Sequence, residues 1–247
     1  MKLKTLPGII FLLLLFSSPS FAQPNKAVND TLSIINSLLV NDNYIELPKD
    51  SILRKYLKIE LITEEQYLAK QKTKVNWLVS DTAKYRKKKG VLRLPTANGS
   101  KTLTDKLVDD DSRTEYEYLG YFVHLNAYLV REMLWEDMNY NFVSKRNGST
   151  TGFFSTIPLF SPDKKKFVTV YADPYESESE VSVFSVVSGK INNLLYVRFV
   201  NWMPAVEKDI FWSSDGKLYL PVQYSDKFWK TDGSYNEDYL YIRISLL

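Results

Sequence analysis

Two hydrophobic periodicities organise this chain, and one gives way to the other near residue 75. Before that point, Leu32, Ile35, Leu38 and Leu39 recur at helical spacing with Asn29 or Asp30 placed as N-cap, which predicts a helix over 29–40. A second, short helix is predicted from Thr63. Thr63 and Gln66 have the capping-box spacing, and Ile62 and Tyr67 occupy the positions of a hydrophobic staple. Glu64 and Glu65 come first and Lys70, Lys72 and Lys74 last, the order the helix dipole favours.

Beyond residue 75 the period drops to two. Tyr116, Tyr118, Gly120 and Phe122 alternate with Glu115, Glu117, Leu119 and Tyr121. Leu195, Val197 and Phe199 form one such face, and Leu240, Ile242 and Ile244 another. Turn signals punctuate these runs at Asn98-Gly99, Asn147-Gly148, Ser161-Pro162-Asp163, Ser188-Gly189 and Ser214-Asp215-Gly216. Roughly ten to twelve short strands with no helix between them require antiparallel connections. The expected fold is mainly β, an antiparallel sandwich-like or open propeller-fragment assembly with short N-terminal helices. The expected organisation is a signal peptide over 1–22, a helical segment over 23–75 packed on the β domain, and an antiparallel β domain over 76–247.

One pattern recurs within the β region. Phe160-Ser161-Pro162-Asp163-Lys164-Lys165-Lys166-Phe167-Val168 is echoed by Trp212-Ser213-Ser214-Asp215-Gly216-Lys217-Leu218-Tyr219, a period of about 52 residues. Both place Asp163 and Asp215 in turns, with Phe167 and Leu218 opening the next strands. Over residues 158–247 this resembles the blade motif of bacterial WD-repeat-like β-propellers. The resemblance implies binding surfaces and no catalytic residues. A closed propeller takes about four or more blades, and residues 90–247 would supply three, so an open assembly is expected.

The first 22 residues read as an export signal. Lys2 and Lys4 precede an apolar run through Ile9-Ile10-Phe11-Leu12-Leu13-Leu14-Leu15-Phe16, and Ser20-Phe21-Ala22 supplies small residues for cleavage after Ala22. The run is too short to span a bilayer, and no Cys follows it to take a lipid. The expected location is periplasmic or secreted. Removing two lysines with the signal takes the net charge from +3 to +1, which argues against a nucleic-acid binder. The one basic run, Lys84-Tyr85-Arg86-Lys87-Lys88-Lys89, reads first as a solvated loop and otherwise as a patch for anionic glycan or membrane headgroups.

Composition narrows the chemistry. With no Cys and a single His, thiolate chemistry and His-rich zinc sites are excluded, and no metal or cofactor is expected. His124 sits in an aromatic stretch without a Gly-x-Ser-x-Gly elbow anywhere in the chain, so it reads as structural. Asp109-Asp110-Asp111 lacks the spacing of a calcium loop and reads as a solvated turn. Glycoside hydrolysis needs only two carboxylates, and Glu115, Glu117, Glu132, Glu136 and Asp137 are the candidates.

The strongest binding signal is a loop. Residues 225–237 separate two strand-like runs by far more than the two to five residues of an ordinary hairpin, and they carry Phe228, Trp229 and Tyr235. These three are the candidate ligand- or partner-binding residues, unless they fold back as a lid over the β core. The leading expectation is an exported binding or interaction protein without catalysis, its partner an unidentified protein or glycan of the cell envelope. The alternatives are a carboxylate-dependent glycan hydrolase and a structural accessory of an envelope complex.

Overall fold

The computed structural model describes residues 35–40, 43–46, 56–176, 178–199 and 202–247. Its strands are β1 (Ile35–Val40), β2 (Asn43–Glu46), β3 (Leu57–Ile62), β4 (Leu78–Val79), β5 (Val91–Thr96), β6 (Gly99–Thr104), β7 (Thr114–Phe122), β8 (Ala127–Leu134) and β9 (Met138–Ser144). They continue with β10 (Thr150–Phe154), β11 (Leu159–Phe160), β12 (Lys166–Asp173), β13 (Glu178–Val187) and β14 (Lys190–Phe199). The last are β15 (Trp202–Pro204), β16 (Phe211–Trp212), β17 (Leu218–Tyr224) and β18 (Leu240–Leu246). One α-helix, α1 (Glu64–Gln71), stands among the described residues.

The strands form antiparallel sheets and no closed barrel, as the alternation predicts. The first sheet runs β11-β12-β13-β14-β1-β2, the second β10-β9-β8-β7-β4, and the third β15-β17-β18-β3 with β16 also on β17. β5 and β6 make a separate hairpin. The Asn98-Gly99 signal marks it, with the register one residue earlier than expected. Thr96 pairs with Gly99, so the two-residue loop is Ala97-Asn98.

Alternation explains the packing. Val168, Val170, Val181, Val183, Leu195 and Val197 share one face of the first sheet and bury against Leu218, Leu220, Val222, Ile242 and Ile244 of the third. The opposite face of the first sheet, at Phe167 and Phe184, meets Phe122, Phe142 and Phe154 of the second. The second sheet's far face is closed by Leu92 and Leu94 of the β5–β6 hairpin, buried with Tyr118, Tyr128 and Val143. The result is sandwich-like, layer on layer.

The short helix obeys its sequence signals. Thr63 Oγ1 accepts from the Gln66 N–H at 3.2 Å, while the Gln66 side chain accepts from the Thr63 N–H at 3.1 Å. Tyr67 inserts against Phe211 and Tyr219 on the outer face of the third sheet, with Ile62 packed beside it. The helix over 29–40 needs correction. Residues 35–40 are strand β1, lying between β14 and β2, and residues 29–34 lie outside the described residues. So does the export signal over 1–22.

The two Ser-x-Asp turns fold alike. Asp163 Oδ1 accepts from the Lys165 N–H at 3.0 Å, and Asp215 Oδ1 from the Lys217 N–H at 3.2 Å. Lys164 and Gly216 hold the same position, both at positive φ. Each turn joins a two-residue strand to a long one, β11 to β12 and β16 to β17. Leu218 opens β17, while Phe167 is the second residue of β12.

The edge strand β3 carries a cross-strand ion pair. Glu60 faces Arg243 of β18, and the guanidinium reaches both carboxylate oxygens, at 2.9 and 3.1 Å. This pair holds the Glu60 carboxyl at about 2, against its ordinary 4.5. A depressed folded-state pKa contributes stability above pH 4.5 that is lost as pH falls from 4.5 toward 2. The pair is partly open to solvent, so the contribution is modest. Thermal melts of wild type between pH 5 and 2 should therefore decline more steeply than those of Glu60→Gln. Parallel decline of the two would show the pair to be without effect.

Candidate binding site at an aromatic cleft

Three connections converge at one end of the first and third sheets. The end of β12 and the turn after it bring Ala172, Pro174 and Tyr175, strand β15 and the loop after it bring Met203, Pro204, Val206, Glu207 and Lys208, and the long β17–β18 connection brings Phe228, Tyr235, Glu237 and Tyr239. Between them lies a cleft of about 380 Å³. Its wall is mostly apolar and aromatic with a few polar groups at the rim, the usual composition of a small-ligand site.

The β17–β18 connection is an ordered excursion. Lys230 N–H bonds to Ser234 O at 2.8 Å, and Gly233 N–H bonds to Lys230 O at 3.0 Å, closing a turn around Asp232-Gly233. Asp232 Oδ1 also accepts from the Ser234 N–H and hydroxyl, at 2.9 and 2.6 Å. Trp229 and Tyr235 pair across this turn as an antiparallel bridge. Its base is fixed to β17, where the Gln223 amide donates to Asn236 O at 2.5 Å. The Asn236 N–H bonds in turn to Phe228 O at 2.9 Å.

The three aromatics named from sequence are together, in different roles. Phe228 is buried at 5% exposure, with its ring 5.3 Å from both Trp229 and Tyr235. It anchors the excursion, as a lid residue would. Trp229 and Tyr235 stack with centroids 4.8 Å apart and planes at 24°, and they stay 37% and 52% exposed. Tyr235 lines the cleft. Trp229 stands behind it, against Tyr175 at 5.3 Å, and so props two aromatic faces rather than forming the wall.

Tyr175 is the most open ring of the group, at 75% exposure. Hydrogen bonding between the Tyr175 and Tyr235 hydroxyls pushes the Tyr235 phenol above its ordinary range. At the rim, the Tyr239 hydroxyl donates to Glu207 Oε1 at 2.9 Å, and Lys208 Nζ lies 4.9 Å from the Tyr239 ring centroid. Burial, and then Glu207, raise the Tyr239 phenol, so it remains a neutral donor. The arrangement offers flat rings beside fixed donors and acceptors. It suits reversible binding of a ring-bearing molecule.

Sequence reasoning reached Phe228 and Tyr235 but not Tyr175, Met203, Val206, Glu207, Lys208 or Tyr239. These come from other connections that only the fold brings near. The Asp173-Pro174-Tyr175 turn was the available signal, an aromatic placed where a turn exposes it.

The remaining candidates lie elsewhere. Glu115 and Glu117 face one side of the second sheet, each held by an arginine, Arg113 at 2.7 Å and Arg131. Glu132 faces the other side, accepting from Asn141 at 3.0 Å, and Glu136 and Asp137 sit in the β8–β9 turn. The fold therefore separates Glu132 from the Glu115 and Glu117 pair. His124 is set edge-on to Phe122 and Phe160, its Nε2 without a hydrogen-bond partner and its pKa lowered by burial and then by Lys164. Asp110 is engaged by Ser112 within its own turn. Among the described residues no group of three or more His, Asp or Glu could hold a metal ion, and no helix is long and apolar enough to cross a membrane.

Comparison of the chain with protein-family models, with curated proteins and with solved structures returns no match.

Proposed function

We propose that this is an exported, non-catalytic binding protein that takes a sugar ring of a cell-envelope glycan in the aromatic cleft. One observation carries the reading. The β17–β18 excursion is fastened by Phe228 and by hydrogen bonds to β17, yet it holds Tyr235 and, through Trp229, Tyr175 half or more open. Leaving large rings exposed is unfavourable unless a ligand covers them. The carbon-bound hydrogens of a pyranose face suit an aromatic plane, while its hydroxyls can bond to Glu207, Lys208 and Glu237 at the rim. Titration with neutral oligosaccharides, monitored by tryptophan fluorescence and calorimetry, tests this. Absence of binding across a panel of envelope-type glycans would sink it.

Export is part of the proposal, supported by Lys2, Lys4, the leucine-rich run and Ser20-Phe21-Ala22. The expected mature N-terminus is Gln23, read by mass spectrometry of the protein recovered outside the cytoplasm. An intact Met1 there counts against it.

A second reading has one observation in its favour. Glu207 and Glu237 both line the cleft, and a pair of carboxylates is the minimum equipment of a glycan hydrolase. Release of new reducing ends from a bound glycan, lost in Glu207→Gln, would favour that reading over simple binding.

A further inference from the structure

We propose a second site, a cationic groove at the 83–93 corner that binds an acidic linear polysaccharide. It stands apart from the aromatic cleft and does not depend on the reading of that cleft. The groove measures about 740 Å³, and Lys84, Arg86, Lys88, Lys89 and Arg93 line it with no carboxylate among the lining residues.

The basic run is a built element rather than a loose solvated loop. Tyr85 is held edge-on by Tyr118 and Tyr128 at 5.2 and 5.5 Å. Lys88 and Val91 exchange two backbone hydrogen bonds of 3.0 Å around Lys89-Gly90, both at positive φ. This tight turn leads into β5, whose Leu92 and Leu94 are buried while Arg93 faces outward opposite Thr102. Cationic and hydroxyl groups thus share the outward face of a rigid hairpin.

The nearby acids are already used. Asp105, with its side chain 4% exposed, takes Lys87 at 2.5 Å and accepts the Tyr116 N–H at 2.9 Å. Asp81 accepts from the Tyr118 hydroxyl. Among the described residues, none of the five lining cations has an ion-pair partner, and Lys84 only approaches the Tyr85 ring, at 5.4 Å. Five like charges held together without counter-charge repel one another, and an anionic ligand relieves that repulsion.

The class of anion follows from what surrounds the charges. A single-stranded nucleic acid needs open aromatic faces for its bases, and the one lining ring, Tyr85, is committed to Tyr118 and Tyr128. Membrane attachment would be helped by large exposed apolar side chains beside the cations, and the apolar residues lining the groove are only the small Ala83 and the half-buried Val91. A concave strip of five cations, with Thr102 beside Arg93 on the adjoining hairpin face, suits a chain with repeated acidic groups and free hydroxyls.

The test uses the full-length mature protein, with polygalacturonate and heparin oligosaccharides as probes. Neutral dextran, a single-stranded oligonucleotide and phosphatidylglycerol vesicles serve as comparisons. Arg86→Gln, Lys88→Gln and Arg93→Gln combined should weaken acidic-oligosaccharide binding tenfold or more, and lower the slope of log affinity against log salt by about three, one per cation removed. All three side chains are on the surface, so melting temperature should be unchanged. Lys72→Gln, Lys165→Gln and Lys190→Gln combined remove the same charge elsewhere and should leave affinity within about twofold. Equal loss in both triples, or no binding of the acidic oligosaccharides, overturns the proposal. Tighter, groove-dependent binding of the oligonucleotide or the vesicles also overturns it and reassigns the groove. The cleft variant Tyr235→Ala should leave this binding intact, so the two sites fail separately.

Discussion

Replacing Phe167 with alanine should lower stability by about 3–5 kcal/mol, the range for deleting a large aromatic from a packed core. For a chain of this size that corresponds to a fall in melting temperature of about 10 °C, at roughly 2–4 °C per kcal/mol. Phe167 is fully buried where the first and second sheets meet. Its ring stacks on Phe184 at 4.8 Å and contacts Phe160, Phe154 and Phe142 at 4.9, 5.2 and 5.8 Å. No single neighbour can move into the void, because each ring is also fixed by others, as Phe142 is by Phe122 at 5.7 Å. Phe153 supplies the comparison. It lies on β10 at 74% exposure, and Phe153→Ala should change stability by about 0.5 kcal/mol or less. Calorimetric melts of the two variants measure the contrast directly. Equal melting temperatures would show that the aromatic cluster does not join the two sheets.

The alternating faces at Tyr118–Phe122, Leu195–Phe199 and Leu240–Ile244 were legible because each strand has one buried side, and burial imposes a period of two. The capping box at Thr63 was legible because it is wholly local. Residues 35–40 were misread for the complementary reason. A short apolar run satisfies both periodicities, and its conformation is decided by backbone pairing with β14, about 160 positions away. The two-residue strands β4, β11 and β16 and the three-residue β15 are too short to show any period, so the observed strands outnumber those expected.

The candidate site divides in the same way. The β17–β18 connection stood out because thirteen residues are too many for a hairpin turn, and Asp232-Gly233 signals the turn that organises it. What sequence could not supply was the opposite wall. Tyr175 and Glu207 reach the cleft because β15 packs beside β12 and β13, a contact between two sheets. The basic corner was likewise visible as a charge run. That its acids are consumed by Lys87 and Tyr118 depends on Asp105 and Asp81 turning inward.

The double change Tyr175→Ala with Tyr235→Ala should weaken ligand binding at the cleft at least tenfold, while Phe228→Ala should act mainly on stability. Tyr175 and Tyr235 are 75% and 52% exposed, so truncating them removes little that holds the fold together. Their rings are the open faces available to a ligand, and an aromatic anchor at a binding surface typically loses about 2 kcal/mol or more on truncation. That loss exceeds the 1.4 kcal/mol of a tenfold change. Phe228 is 5% exposed beneath the stacked Trp229 and Tyr235, and its removal should cost about 3 kcal/mol, or roughly 6–12 °C in melting temperature. Trp229→Ala should fall between them, since Trp229 supports Tyr175 and Tyr235 without lining the cleft. Melting curves of the three variants can be recorded before any ligand is known. A fall of several degrees in the Tyr175, Tyr235 double variant would make these rings part of the structural core and remove the cleft as a binding site. Unchanged melting with lost glycan binding would place the binding energy on the two exposed rings.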